Sequence, residues 1–284
     1  MRIGIVTDEI STEVREAIEL GMSWGIMDYE LRVIGEARVP TVKPETVDDL
    51  LRLKEKFRVR YTALSPGACK GAIDDDETLQ RELNETLPET FRLARKLDVP
   101  TVIIFGFQRL PQQPSSLLPK VVEAFCQMAI MAQKEGLRLA VENEPGFWCD
   151  SGQNTARLIA AVDSPFLRAN WDPANALGTD EIPYPDGYEA IKKWIANVHV
   201  KDTIKGALIE CVPVGEGKID WEGQLRALIQ DRAIQHITIE THCPPLRENS
   251  QKNLQRLQQM LRRLHTRELD PAGGDFAFIP HSRE

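Results

Sequence analysis

No stretch of this sequence approaches the roughly 20 consecutive apolar residues that a helix needs to cross a bilayer. The amino terminus, MRIGIVTDEI, also lacks the long apolar run and small-residue cleavage site of a secretory signal. The five cysteines are scattered and form no CxxC pair, which argues against a disulfide framework and a cysteine zinc site. These absences predict a cytoplasmic protein with no membrane partner.

Basic residues are outnumbered by acidic residues. Lysine and arginine number 35 against 43 aspartates and glutamates, which gives a formal net charge of -8. Such a balance repels a polyanion unless the basic groups are segregated, so we expect no nucleic-acid partner. The first strand-to-helix turn, TDEISTEV, carries no glycine fingerprint, which removes the usual dinucleotide ligand of an open α/β sheet.

Eight short β-rich runs recur along the chain, and several are apolar with little alternation, as strands covered on both faces should be. They are residues 2–7, 26–33, 59–64, 101–107, 137–142, 167–172, 197–200 and 236–240. Longer segments with helical spacing separate them. The clearest, 249–265, aligns Leu254, Leu257, Leu261 and Leu264 on one helix face. This alternation predicts repeated βαβ units.

Eight such units fit a closed (β/α)8 barrel better than an open doubly wound sheet, and 284 residues suit a single barrel domain. No low-complexity segment or break in composition divides residues 1–265, which we assign to the barrel. Residues 266–284 are assigned to a C-terminal tail. Its Phe276, Phe278 and Ile279 are expected to dock on this chain or on a neighbour.

An α/β barrel carries its active site at the carboxyl ends of its strands, so polar residues near the ends of apolar runs are informative. Such residues are Glu142, Asp172, His199 and Glu240, from the fifth to eighth predicted strands. Taken singly, each carboxylate is more often a solvated loop residue or a helix cap, and the histidine a hydrogen-bonded core residue. Three neighbouring carboxylates repel one another unless a cation or protons neutralise them, so the set favours a metal site.

The same set restricts the metal. Three carboxylates and one imidazole suit one divalent ion of Mn, Mg, Fe, Co or Zn, and they leave its identity open.

Five segments carry a family resemblance: VENEPG, NWDPAN, VHVKD, PVGEGKIDW and TIETH. In this order they resemble the signature stretches of the xylose isomerase-like TIM barrels, the sugar phosphate isomerase/epimerase family, over essentially residues 1–265. The resemblance implies that Glu142, Asp172, His199 and Glu240 bind the metal and that the substrate is a small sugar or polyol. Relatives often form dimers or tetramers, so a homo-oligomer is implied by analogy alone.

Three positions depart from the family pattern. Many relatives have a histidine where this chain has Glu144 and Asn175, and another near the end of strand three, where ALSPGACKG has none. These positions usually touch substrate or an additional metal in the relatives, so the substrate of any one branch does not carry over. The missing histidines favour a single metal over the zinc cluster of the family's abasic-site endonuclease branch.

The chemistry consistent with these residues is removal of a proton next to a carbonyl group, with the metal stabilising the enediolate. Glu142 and Glu240 would remove and return the proton. Lys201 lies on the same strand face as His199. It would polarise a substrate oxygen or hold an anionic group of the substrate. A simple ion pair at the protein surface is an equally well supported role for this lysine.

A further set of polar and aromatic residues is expected to bind substrate: Asn143, Asn175, Asp202, Glu216 and Trp148. Asp202 would orient Lys201. Glu216 lies in a Gly-Glu-Gly loop that could reach over the ligand, although a plain turn before a helix opened by Asp220 is as well supported. Large aromatic side chains such as Trp148 are usually packing in barrels.

The first two strands give weaker signals. Asp8, Glu9 and Glu30 are interpreted as structural, and Arg32 could pair with a carboxylate inside the barrel mouth. His242, two residues after Glu240, could hydrogen-bond to the metal ligands without binding the metal itself.

The leading interpretation is a metal-dependent isomerase or epimerase of a sugar or polyol. A dehydratase of an inosose-like keto-polyol shares its first step and is the alternative. An endonuclease on abasic DNA is disfavoured by the net charge of -8. A barrel that keeps the ligands but only binds sugar is the non-catalytic alternative.

Overall fold

Eight parallel strands close a barrel. The computed structural model describes residues 1–206 and 209–269 of the chain. Its strands are β1 (Arg2–Val6), β2 (Asp28–Leu31), β3 (Val33–Ile34), β4 (Ala37–Arg38), β5 (Arg60–Leu64), β6 (Thr101–Ile104), β7 (Arg138–Glu142), β8 (Leu167–Trp171), β9 (Ile195–Val200), β10 (Asp202–Gly206), β11 (Ile209–Val212) and β12 (His236–Ile239). The barrel order is β1-β12-β9-β8-β7-β6-β5-β2. Parallel pairing of β1 with β12 closes the ring.

Each barrel strand corresponds to one of the eight predicted runs, which confirms the (β/α)8 barrel. β2 and β6 are buried along their whole length, because the barrel interior covers one face and helices cover the other. The open-sheet alternative is excluded, since the first and last barrel strands pair with each other.

Helices alternate with the barrel strands. They are α1 (Val14–Ser23), α2 (Pro44–Phe57), α3 (Asp76–Arg81), α4 (Leu87–Leu97), α5 (Leu118–Glu135), α6 (Gly152–Val162), α7 (Pro173–Ala176), α8 (Tyr188–Ile191), α9 (Trp221–Gln230) and α10 (Leu246–Leu269). Asp220 caps α9 as predicted, because its Oδ1 accepts the N–H of Gly223 at 2.8 Å. Among the described residues, no helix combines the length and apolar character needed to cross a membrane.

The last helix, α10, is longer at both ends than the predicted 249–265. Its predicted apolar face is buried at Leu254, Leu257 and Leu264. One hydrophobic core extends from Ile5 to Leu264 and joins the strands to this helix. Most of the predicted tail, including Phe276, Phe278 and Ile279, lies outside the described residues.

Two antiparallel hairpins interrupt the alternation, and the sequence patterns predict neither. β3 pairs with β4 directly after β2, and β10 pairs with β11 directly after β9. Because each follows the carboxyl end of a barrel strand, each adds residues to the end of the barrel where active sites form.

Candidate active site

Four ionisable residues converge at the carboxyl ends of β7, β8, β9 and β12, the fifth to eighth barrel strands. Glu142 ends β7, Asp172 follows β8, His199 lies in β9 and Glu240 follows β12. One ligand atom from each lies within 4.8 Å of the others. None of the four residues is more than 5% exposed. The structure therefore brings the predicted ligand set together in one buried cluster.

Two asparagines fix the ends of β7 and β8. The N–H of Asp172 donates to Oδ1 of Asn143 at 2.9 Å, and Nδ2 of Asn143 donates to the carbonyl oxygen of Asp172 at 2.8 Å. Nδ2 of Asn175 donates to the carbonyl oxygen of Asn143 at 2.8 Å and to Glu142 Oε1 at 3.3 Å. These bonds set the spacing between Glu142 and Asp172.

His199 presents one ring nitrogen to the cluster and the other to the barrel interior. Its Nδ1 lies 3.3 Å from Glu240 Oε2 and 3.6 Å from Glu142 Oε1. Its Nε2 lies 3.0 Å from Oε2 of the buried Glu30. Burial disfavours the imidazolium, but the carboxylates of Glu30, Glu240 and Glu142 outweigh it and raise the pKa of His199 well above its ordinary value.

Lys201 is buried inside the same cluster. Its Nζ lies 2.8 Å from Asp172 Oδ2, 3.3 Å from Glu240 Oε2 and 3.0 Å from Asn175 Oδ1. Burial alone would lower the pKa of this ammonium, but Asp172, Glu240 and Glu142 raise it well above its ordinary value. Lys201 is therefore a cation at neutral pH. Its burial excludes the surface ion pair considered from the sequence.

Arg32 anchors Glu240 from the other side of the barrel mouth. Its Nη1 donates to Glu240 Oε1 at 2.6 Å, and its Nη2 donates to Asp8 Oδ2 and Glu9 Oε1 at 2.8 Å each. The ion pair expected for Arg32 is thus confirmed, with three carboxylates. Burial would raise the pKa of Glu240, but Lys201, His242 and His199 lower it well below its ordinary value.

A cavity of about 280 Å³ opens on this cluster. Of the four clustered residues, Glu142 and Glu240 line it, and Lys201 and Asn175 lie beside them on its wall. The remaining lining residues follow the first four barrel strands, except for Glu144 and His242, which follow β7 and β12: Asp8, Arg32, Val33, Arg38, Ser65, Lys70, Phe105, Glu144 and His242. The two glutamates are therefore the members of the cluster that a ligand in the cavity would meet.

A family model described as xylose isomerase-like TIM barrel matches residues 15–264. The chain belongs to this family. The family resemblance of the sequence is confirmed, and the match spans the barrel from α1 into α10. No curated protein matches the sequence.

Solved structures of similar fold have low sequence identity to this chain. A D-tagatose 3-epimerase-like protein has a TM-score of 0.81 and 16% identity, covering 94% of this chain and 100% of that one. The probable 3-DHS dehydratase AsbF of Bacillus anthracis has a TM-score of 0.75 and 16% identity, with 91% and 99% covered. An IOLI protein with a bound zinc atom has a TM-score of 0.75 and 17% identity, with 94% and 99% covered. At these identities the likeness shows the fold.

The clustered residues fit a divalent ion. Their oxygen and nitrogen donors are buried and face one another, and Oδ2 of Asp172 makes no hydrogen bond within the described residues, although Lys201 Nζ lies 2.8 Å away. Metal-ligating histidines usually donate their second N–H to a carboxylate. The contact of His199 Nε2 with Glu30 supplies that carboxylate and leaves Nδ1 directed at Glu142 and Glu240.

Glu30 is the residue that the sequence interpretation underrated. We expect Glu30→Gln to weaken Mn²⁺ binding about 10- to 100-fold, because the amide holds the His199 ring less firmly than the carboxylate does. Calorimetric titration of Mn²⁺ measures this. The control is Glu82→Gln, a buried glutamate that accepts the Cys69 N–H and does not belong to the cluster. Unchanged Mn²⁺ affinity in Glu30→Gln would contradict the role.

Asp202 supports a loop of the backbone. Its Oδ1 accepts the N–H groups of Thr203 at 2.9 Å and Ile219 at 3.2 Å, and its Oδ2 accepts those of Gly215 at 2.8 Å and Gly217 at 3.2 Å. A Cβ at Gly217 would lie 2.0 Å from Oδ1, so only glycine lets the loop approach this closely. Asp202 does not line the cavity.

This arrangement predicts a stability effect. In Asp202→Asn an amide donor would face two backbone donors in either orientation, so we expect the free energy of unfolding to fall by about 2–3 kcal/mol. Urea denaturation measures it, with the exposed Asp98→Asn as control. If the variant instead keeps its stability and loses sugar binding, Asp202 is a substrate ligand and the structural role is refuted.

Two other predicted substrate residues lie away from the cavity. Glu216 is exposed and pairs with Lys252 and Arg256 of α10 at 2.7 and 2.6 Å. Trp148 is buried, with the Arg109 guanidinium 4.6 Å from its ring centroid. Of the predicted substrate-binding set, Asn175 and Lys201 line the cavity, whereas Asn143, Asp202, Glu216 and Trp148 do not.

Proposed function

We propose that this chain is an enzyme that isomerises or epimerises a sugar or polyol by moving a proton next to a carbonyl group, with one divalent metal ion. The observation that carries the proposal is the buried cluster of Glu142, Asp172, His199 and Glu240 beside a polar cavity at the carboxyl end of the barrel. The ion would be held by these four residues and, when bound, would supply Lewis-acid polarisation of the substrate carbonyl. A zinc-bound structure of similar fold supports a divalent ion.

The two cavity-lining glutamates are suited to proton transfer. Burial raises the pKa of Glu142, but His199 and Lys201 outweigh it, so the pKa is lowered, as it is for Glu240. Both side chains are therefore carboxylates at neutral pH, and each can accept a proton. One would remove the proton from the carbon beside the carbonyl. The other would take up a proton from solvent and deliver it to the neighbouring carbon or to the opposite face.

Lys201 acts as a cation and hydrogen-bond donor, because its raised pKa prevents it from serving as a base. Its ammonium lies on the cavity wall and can donate to the substrate oxygen that becomes negative in the enediolate. Asn175 accepts from Lys201 and donates to Glu142, so it orients both groups.

The dimensions of the site favour a small ligand. A volume of about 280 Å³ corresponds to about nine water molecules. The clustered residues are at most 5% exposed, which suits a sugar-sized molecule better than the backbone of a nucleic acid.

The proposal is tested by proton exchange with solvent. The protein, loaded in turn with Mn²⁺, Co²⁺ or Zn²⁺, is incubated in D₂O with a panel of ketopentoses, ketohexoses and inososes, and products are separated and weighed by mass spectrometry. We expect one deuterium to enter at a carbon beside the carbonyl of at least one compound, and a chelator to stop it. No exchange with any metal contradicts the proposal. A product lighter by one water assigns the dehydratase instead.

A further inference from the structure

The cavity wall is divided between two halves of the barrel. The clustered residues come from β7, β8, β9 and β12, which are adjacent in the ring. The other half of the wall follows β2, β5 and β6 and includes Arg38, Ser65, Lys70 and Phe105. This half of the wall therefore holds two cations, Arg38 and Lys70, besides Arg32, which pairs with Glu240.

Arg38 has no anionic partner in the part of the chain that the structure describes. Among the side chains of residues 1–206 and 210–265, no carboxylate oxygen lies within 4.0 Å of its guanidinium, whereas Arg32 nearby has three such partners. The Arg38 guanidinium instead donates to Ser65, from Nε to the carbonyl oxygen at 2.9 Å and from Nη2 to Oγ at 3.3 Å. Nη1 is left without a hydrogen bond to any described residue.

The guanidinium is held in place. Arg38 ends β4 of the first hairpin, and its side chain reaches the end of β5. A Cβ at Gly67, whose φ is +79°, would lie 3.0 Å from Arg38 Nε, so the loop after β5 packs directly against the guanidinium. A fixed cation with one free edge is preorganised for an oxyanion, because little rotamer freedom is lost on binding.

Lys70 supplies a second, weakly paired cation. Its Nζ lies 3.9 Å from the centroid of the Phe105 ring and 3.6 Å from Glu144 Oε2. The ring contact holds the ammonium beside the cavity without neutralising it.

The electrostatic surroundings of Arg38 also favour the binding of an anion. Burial lowers the pKa of Arg38, and the positive charge of Arg32 lowers it further. The carboxylates of Asp8, Glu142 and Glu240 act in the opposite direction but do not reverse the change. A half-buried guanidinium in such a field is costly unless an anion joins it. No carboxylate among the described side chains lies within 4.0 Å of this guanidinium, so a bound ligand is the group that would pair with it directly.

We propose that the substrate carries an oxyanion group, a carboxylate or a phosphate, bound by Arg38 and Lys70, while its carbonyl end lies at Glu142 and Glu240. This inference rests on the proposed function, since it places the reacting carbons at the cluster. It narrows the substrate from sugars and polyols in general to short acidic derivatives.

The test compares three ligands that share a six-carbon polyol chain: neutral glucitol, gluconate and glucitol 6-phosphate. Calorimetric titration is performed on the protein as purified and again after chelator treatment, which removes binding of gluconate to a metal. We expect gluconate or glucitol 6-phosphate to bind about 10- to 100-fold more tightly than glucitol, both to the purified and to the chelator-treated protein. The tighter of the two anions shows whether the site prefers a carboxylate or a phosphate. Arg38→Gln should reduce binding of the preferred anion to the level of glucitol.

Controls separate this site from general charge effects. Arg92→Gln removes an exposed arginine and should keep the preference. If circular dichroism shows that Arg38→Gln is unfolded, Arg38→Lys should keep part of the preference and Lys70→Met should reduce it. Equal binding of the three ligands, no measurable binding of any, or a preference that survives the loss of Arg38 overturns the proposal.

The two proposals can fail separately. Proton exchange on neutral ketoses without an anion preference overturns the oxyanion site alone. An anion preference that depends on Arg38, without exchange on any ketose or acidic derivative, overturns the enzymatic function and leaves a binding site for acidic polyols.

Discussion

Glu240→Gln should lower the rate of proton exchange by at least about 10³-fold, because the variant loses a proposed metal ligand and a proton acceptor together. Glu240 Oε1 accepts from Arg32 at 2.6 Å, and its Oε2 lies 3.3 Å from Lys201 and His199 Nδ1. An amide in this position directs a donor at one of these cations. Deuterium incorporation into the best ketose of the panel, measured per enzyme molecule, gives the rate.

The matched control for this variant is Glu89→Gln, an exposed glutamate on α4 whose Oε1 lies 3.6 Å from Arg92. It carries the same change of charge and should exchange at the parent rate. Exchange within tenfold of the parent in Glu240→Gln would show that Glu240 neither holds the ion nor moves the proton, and the proposed chemistry would need another base.

Lys201→Met should separate metal binding from catalysis. Without the ammonium, Asp172 loses the cation that lies 2.8 Å from its Oδ2, and Glu240 loses one that lies 3.3 Å from its Oε2. A divalent ion should therefore bind at least as tightly as in the parent. Exchange should nevertheless fall by about 10²–10³-fold, because the enediolate oxygen loses a preorganised donor. Lys205→Met, on the neighbouring β10 and 60% exposed, is the control.

The combination of results is what identifies the role of Lys201. Tight metal binding with slow exchange assigns it to the substrate oxygen. Parent-like exchange contradicts that assignment, and a joint loss of metal binding and folded structure would make Lys201 a structural cation of the cluster. Thermal melting with and without Mn²⁺ distinguishes these cases.

The fold could be predicted because its signals are local. Each barrel strand is a short apolar run, and the leucines of α10 repeat at helical spacing. The ends of four such runs already placed Glu142, Asp172, His199 and Glu240 together, since neighbouring parallel strands end at the same mouth. No long-range information was needed for that step.

The remaining features depend on contacts between distant residues. Glu30 lies in a fully buried strand, and its contact with His199, 169 residues later, appears only when the closed barrel brings side chains of β2 and β9 together in its interior. An ionisable residue inside an apolar strand was the available signal. The sequence predicts Asp202 at the substrate because it lies shortly after His199. In the fold, backbone N–H groups of residues 215–219 donate to its carboxylate instead. The position of Arg38 required the first hairpin, whose two-residue strands carry no periodic pattern.

The central claim is that Glu142, Asp172, His199 and Glu240 hold one divalent ion. Elemental analysis of the purified protein, repeated after chelation and reloading with Mn²⁺, Co²⁺ or Zn²⁺, tests it most directly. We expect about one tightly bound ion per chain and a rise in Tm on reloading, both reduced in Glu240→Gln. A protein that binds none of these ions, and whose Tm none of them raises, would contradict the account.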